Sequence, residues 1–131
     1  MFLGEYEPNV DEKGRLTLPK KIREGISGHE VIVTRGFERC IFGYEKTAWQ
    51  EATGKELLQP ITDTQSRANR RYLFSGAAQL ELDGQGRLVI PRNLLRFADI
   101  REDVAVIGAG DHFEIWAKSL WQNEQRKLEE A

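Results

Sequence analysis

Apolar residues in this chain fall in short groups with strand-like spacing. Leu80 and Leu82 alternate with polar neighbours, as do Leu16 and Leu18, and Leu88 and Ile90 keep the same spacing around Val89. Such alternation puts the apolar side chains on one face of a strand. Val31-Ile32-Val33 and Val104-Ala105-Val106 predict a further pair of strands. Ile41-Phe42 and Phe113-Glu114-Ile115-Trp116 predict another. Asp11-Glu12-Lys13-Gly14 and Asp83-Gly84-Gln85-Gly86 interrupt the alternation with turn chemistry. The aspartate bonds the backbone just ahead, and the last glycine accepts a positive φ. Pro19 and Pro91 end their strands and suit the first turn of a helix, anchored by Ile22 and Ile26 or by Leu94 and Leu95. Longer helices are predicted from near Glu45 and near Ala117, the second amphipathic through Leu120, Trp121 and Leu128.

These groups repeat. Asp11-x-x-Gly14-Arg15-Leu16-Thr17-Leu18-Pro19 recurs as Asp83-x-x-Gly86-Arg87-Leu88-Val89-Ile90-Pro91, 72 positions later. The same offset aligns Phe2 with Phe74, Gly4 with Gly76, Gly36 with Gly108, Ile41 with Phe113 and Trp49 with Trp121. A gapless register from 2–51 onto 74–123 predicts two copies of one unit, with 52–73 between them and 124–131 ending the last helix. About 50 residues of short strands bury little apolar surface alone. One domain of two interleaved halves is therefore expected, and a barrel built from both would remove exposed sheet edges. In the linker, Thr62 and Gln65 stand at capping-box spacing, and Arg67, Arg70 and Arg71 share one helix face.

The chain has 131 residues, which suits one domain. No apolar run approaches a membrane span, and the N-terminal residues show no secretory pattern, so a cytoplasmic location is expected. A single cysteine, Cys40, excludes an intrachain disulfide and a cysteine-based zinc site. His29 and His112 lack metal-ligand spacing and receive no role. Gly84-Gln85-Gly86 completes no phosphate-binding fingerprint, and no catalytic constellation stands out. Neither an enzyme nor a cofactor is expected.

The net charge of −2 argues mildly against nucleic acid, but it averages over the chain. Residues 11–24 carry a net +2, residues 64–73 +3 and residues 83–96 +2. Phosphates respond to such local patches.

Met1-Phe2-Leu3-Gly4-Glu5-Tyr6-Glu7, the doubled Asp-x-x-Gly-Arg-x-x-x-Pro, Phe74-x-Gly76-Ala77 and Phe113-Glu114-Ile115-Trp116 together resemble the MraZ family of bacterial transcriptional regulators. The resemblance covers nearly the whole chain. It implies two tandem SpoVT-AbrB-like halves forming a swapped-hairpin β-barrel, mainly β with short helices. It also implies homo-oligomeric rings and binding of double-stranded DNA at repeated boxes upstream of the division and cell-wall gene cluster. A cytoplasmic site on the nucleoid follows from that role.

Two readings of Arg15 and Arg87 stand side by side. Each projects a guanidinium past a tight turn toward phosphates or guanine edges, or each forms an Asp–Arg pair that braces the turn. Both can hold at once, and the resemblance favours DNA contact. Lys13, Lys20 and Arg92 join them as candidate phosphate contacts, and Gln85 occupies the position of Lys13 in the second copy. The linker arginines are expected to pair with acids of a neighbouring subunit. Trp49, Phe74, Trp116 and Trp121 are expected to pack in the core or an interface, and Cys40 to be a buried strand residue. An interaction module such as an antitoxin is the rival reading, but its usual free C-terminal tail is not predicted here.

Overall fold

A computed structural model describes residues 1–131. Strands β1 (Glu5–Tyr6) and β2 (Arg15–Thr17), helix α1 (Lys20–Arg23), strands β3 (Glu30–Arg35) and β4 (Ile41–Glu45) and helix α2 (Lys46–Leu58) form the first series. Helix α3 (Thr64–Ser75) follows. Strands β5 (Ala78–Glu81) and β6 (Arg87–Val89), helix α4 (Arg92–Phe97), strands β7 (Val104–Gly108) and β8 (Phe113–Ala117) and helix α5 (Lys118–Glu130) repeat the order. The fold is α+β, and every strand pairing is antiparallel.

The two series interleave. One sheet has the order β1-β7-β8-β4-β3-β5, and β2 pairs with β6 in a separate ribbon. Each series thus lends its first strand to the other, β1 to β7 and β5 to β3. The central contact, β4 with β8, also joins the two. The hydrogen-bonded order ends at β1 and β5, so the backbone ladder is open where a closed barrel was expected.

Both faces of the sheet are covered, which explains the unbroken apolar runs. Val31 and Val33 of β3 face inward to Leu16, Leu18, Ile22, Leu88, Ile90 and Leu94, all at most 1% exposed. Ile32 faces the other way, into a second cluster with Cys40, Phe42, Tyr44, Trp49 and Trp116. Burying one such aliphatic side chain contributes about 1.5–3 kcal/mol. The ribbon, α1 and α4 therefore sit on the main core, while the long helices lie on the opposite face.

The repeat is not gapless. Val31 opposes Glu45 whereas Val104 opposes Ala117, so β3 and β7 correspond at an offset of 73 while β4 and β8 keep 72. The extra residue enters at α4, which is longer than α1 and ends through Asp99 at φ +56°. It leaves in the following hairpin, where Gly36 bonds Cys40 across one loop and Ala109 bonds His112 across a shorter one. Gly36 therefore corresponds to Ala109, not Gly108.

Phe2 and Phe74 are also not equivalent. Phe2 exchanges two backbone bonds with Gly110 and packs its ring edge-on to Phe113, 5.4 Å between centroids. Phe74 sits in the last turn of α3, 37% exposed, against Trp49. The linker's true cap is Asp63, whose Oδ1 accepts from Ser66 N at 2.9 Å, so Thr62 lies outside the helix. The linker arginines turn inward as well. Arg70 donates to the carbonyls of Glu56 and Gln59, and Arg67 to that of Ile61. Arg70 thus satisfies carbonyls left open where α2 ends, and Arg67 one in the turn that follows. Arg71 is exposed.

Candidate nucleic-acid interface

The two Asp-x-x-Gly-Arg segments form the same turn twice. Asp11 Oδ1 accepts from the backbone N–H groups of Lys13 and Arg15, both at 2.9 Å. Asp83 Oδ1 accepts from those of Gln85 and Arg87 at 2.8 and 2.9 Å. The second carboxylate oxygen takes the arginine Nε, at 2.6 Å for Arg15 and 2.8 Å for Arg87. Gly14 and Gly86 close the turns at φ +80° and +74°, a region an L side chain rarely occupies. The backbone N–H of Arg15 is the main reason the Asp11 carboxyl is held below its ordinary range, opposed by desolvation and helped by the Arg15 guanidinium. The Arg87 N–H does the same for Asp83.

Brace and projection coexist in this geometry. Each aspartate holds only the Nε edge of its arginine, and no hydrogen bond within the chain uses the Nη groups of Arg15 or Arg87. The carboxylate also fixes the guanidinium plane, which lowers the entropy lost on binding.

The ribbon brings the two arginines together. In register, Arg15 opposes Val89, Leu16 opposes Leu88 and Thr17 opposes Arg87. Leu16 and Leu88 are fully buried, so Arg15, Thr17, Arg87 and Val89 share the outward face. Arg15 and Arg87 are diagonal neighbours, about 7–8 Å apart at Cα. The turns stand at opposite ends of the ribbon, because Ile90 N bonds Gly14 O and Leu18 N bonds Gly86 O.

Lys13 and Gln85 lie exposed at the turn tips. Lys20 and Arg92 open α1 and α4 just after Pro19 and Pro91, and both are exposed. Arg92 reaches the opposite half, donating to Glu12 O at 3.3 Å. All six sequence-predicted positions thus lie on the ribbon, its turns and the two short helices attached to it.

Two features escaped the sequence reading. Arg23 lies against Gly86, its Cζ 2.9 Å from where a Cβ would stand, while Leu95 occupies the matching place beside Gly14. His112 bridges Asp111 and Glu114 at 2.8 Å each and packs on Phe42 and Tyr44. Burial opposes the charged ring, but the two carboxylates outweigh it and raise His112 above its ordinary value. The signal was a histidine flanked at −1 and +2 by acids at a hairpin end.

No helix is long and apolar enough to cross a membrane. No group of three His, Cys, Asp or Glu side chains is placed to hold a metal ion.

Comparison with known proteins agrees with the doubled turn. The family described as "MraZ protein, putative antitoxin-like" matches residues 1–71 and 73–131. A protein of Roseiflexus castenholzii named "Transcriptional regulator MraZ" is 45% identical over 94% of this chain and 85% of its own length. One of the same name from Syntrophomonas wolfei is 46% identical over 99% of this chain and 93% of its own. A third, from Acetivibrio thermocellus, is 43% identical over 94% and 85%. That name is of a regulator of transcription and not of an enzyme. With both segments matched and relatives this similar along nearly the whole length, the chain belongs to the MraZ family.

Proposed function

We propose that this chain is a transcriptional regulator that binds double-stranded DNA through the β2–β6 ribbon and its two flanking turns. The observation that carries this is the pair Arg15 and Arg87, held on one outward face with their Nη donors unused. Guanidinium Nη groups match phosphate oxygens and the O6/N7 edge of guanine. Lys13, Lys20 and Arg92 add phosphate contacts, and Gln85 contributes an uncharged hydrogen bond. The names of the relatives support the regulatory role.

The finer architecture belongs to the same proposal. Residues 2–51 and 74–123 act as two SpoVT-AbrB-like halves, with 52–73 joining them and 124–131 closing the last helix. The exchange of β1 and β5 between halves supports a swapped-hairpin barrel. Copies assemble into a ring that engages several repeated boxes upstream of the division and cell-wall genes. Linked engagement multiplies affinity by about 10²–10⁴ without new contacts, which suits a chain of net charge −2. The working location is the cytoplasm, on the nucleoid.

The test is binding of the purified full chain to labelled duplex from upstream of its own gene, across a salt series. A steep loss of affinity with salt is expected, since each neutralised phosphate adds about 0.9 to the log–log slope. Absence of binding to any such duplex at low salt overturns the proposal.

A further inference from the structure

The outward face of the ribbon carries two residues that are not charged. Val89 is 58% exposed, although a buried leucine stands beside it in sequence. A lone exposed valine is ordinary on a protein surface. This one is not isolated, because it directly opposes Arg15, and Thr17 directly opposes Arg87. The face is a four-residue checkerboard in which each arginine has a methyl-bearing β-branched partner.

Resting on the DNA-binding reading above, we propose that Val89 is a specificity-determining residue that meets a thymine methyl group in the major groove, while Thr17, its counterpart at the other end of the face, reads permissively. A major groove about 12 Å wide admits a two-stranded ribbon. The groove edge of guanine offers two acceptors, which suit arginine, and thymine offers a C5 methyl, which suits an apolar side chain. Arg15 beside Val89 therefore fits adjacent guanine and thymine, and Arg87 beside Thr17 fits the same pair from the other strand. The positive charge of the arginines explains why this exposed apolar spot faces a polyanion.

The two ends are not equal readers. Threonine and valine have nearly the same shape, but Thr17 replaces one methyl with a hydroxyl. Val89 makes no hydrogen bond, so a polar base edge held against it loses its bonds to water. Thr17 donates or accepts and so tolerates more than one base. The Val89 end demands thymine, and the Thr17 end is permissive. A nearly symmetric ribbon thereby reads an asymmetric sequence.

The test uses a duplex enriched from a random pool by the wild-type chain, with its thymines replaced one at a time by deoxyuridine. That change removes only the C5 methyl. One position is expected to lose affinity about fourfold, the value of one buried methyl-sized group. Val89→Ser should bind the thymine and uracil duplexes equally at that position, while Val89→Thr should keep part of the difference. Thr17→Val should create a second sensitive position. Equal wild-type binding to every substituted duplex overturns the inference, as does an enriched site without thymine, or discrimination retained by Val89→Ser. If Arg15→Ala and Arg87→Ala abolish binding while uracil has no effect, the inference alone fails. If the wild-type chain enriches no duplex, the DNA-binding reading fails with it.

Discussion

The first turn and the second share a backbone but not their charged groups, for Glu12 and Lys13 stand at one tip and the uncharged Gly84 and Gln85 at the other. In both, an aspartate collects two amides and one Nε, and a glycine closes the loop at positive φ. Their tips differ, with Lys13 in one and Gln85 in the other. So do the side chains beneath them. Leu95 lies under Gly14, and Arg23, from the opposite half, lies under Gly86 with its Nε buried and unpartnered. The hydrogen-bonded frame of the turn needs the residues that make it, whereas the cation does not depend on one sequence position. At the second turn a guanidinium arrives from underneath while the tip is neutral.

The strongest way to break the comparison is to remove its common floor. Leu16 and Leu88 are fully buried and face each other across the ribbon. Leu16→Ala and Leu88→Ala should each cost about 2–5 kcal/mol in chemical denaturation, by similar amounts if the halves are energetically alike. The glycines come next. Forcing alanine into the left-handed region costs about 1–2 kcal/mol. At Gly14 the new Cβ meets the backbone of Ile90 at 3.1 Å, whereas at Gly86 it meets the Arg23 side chain. Arg23→Ala should therefore relieve part of the Gly86→Ala penalty and none of that of Gly14→Ala, a result visible in paired thermal melts.

Smaller stability effects are expected at the arginines. The Asp11–Arg15 and Asp83–Arg87 pairs are partly exposed. Arg15→Ala and Arg87→Ala should thus change stability by only about 0–1 kcal/mol, while both sharply weaken duplex binding. A large fall in melting temperature with parallel loss of binding would assign these residues to bracing alone. Exchange of the tips is finer still. Lys13→Gln should lower the salt slope of binding by about 0.9 and Gln85→Lys should raise it by the same amount, with no change in fold.

The last prediction concerns pH. Both aspartates sit below their ordinary value in the folded chain. The stability they contribute is therefore complete above a pH of about 3.9, and it is lost as pH falls through their lower folded values. His112 runs the other way. Its contribution is complete below a pH of about 6.5, and it disappears as pH rises through its raised value. Asp11→Asn should flatten the acid limb of a stability–pH curve, and His112→Gln the limb that begins at about pH 6.5.

Seven of the eight strands, both turns and the order of helices were legible because apolar grouping, Asp-x-x-Gly and proline act locally, whereas nothing in the sequence marked β1 at Glu5–Tyr6. The one-residue slip at β3 and β7 was not legible either. Val31-Ile32-Val33 and Val104-Ala105-Val106 are apolar throughout, so neither marks its register. The phase is set instead by how α4 ends, at Asp99. Phe2 and Phe74 misled because identity at one offset says nothing about a helix that one half has and the other lacks. The inward bonds of Arg70 were not legible, because a carbonyl left open by α2 is invisible until the helices meet. At the candidate site, the turns that carry Arg15 and Arg87 were legible, while the shared outward face depended on the pairing of β2 with β6.

The exchange of strands between halves also sets a timetable for the nascent chain. Glu5 must find Ile107, about a hundred residues downstream, before β1 has any partner. At synthesis rates of about 5–20 residues per second, the N-terminal strand waits for seconds on the ribosome with its edge uncovered. Long-range pairing of this kind slows folding and leaves local contacts little to nucleate on. A chain built this way completes its sheet only after β7 has been made, so a message interrupted before that point yields fragments for proteolysis and not a half-folded unit.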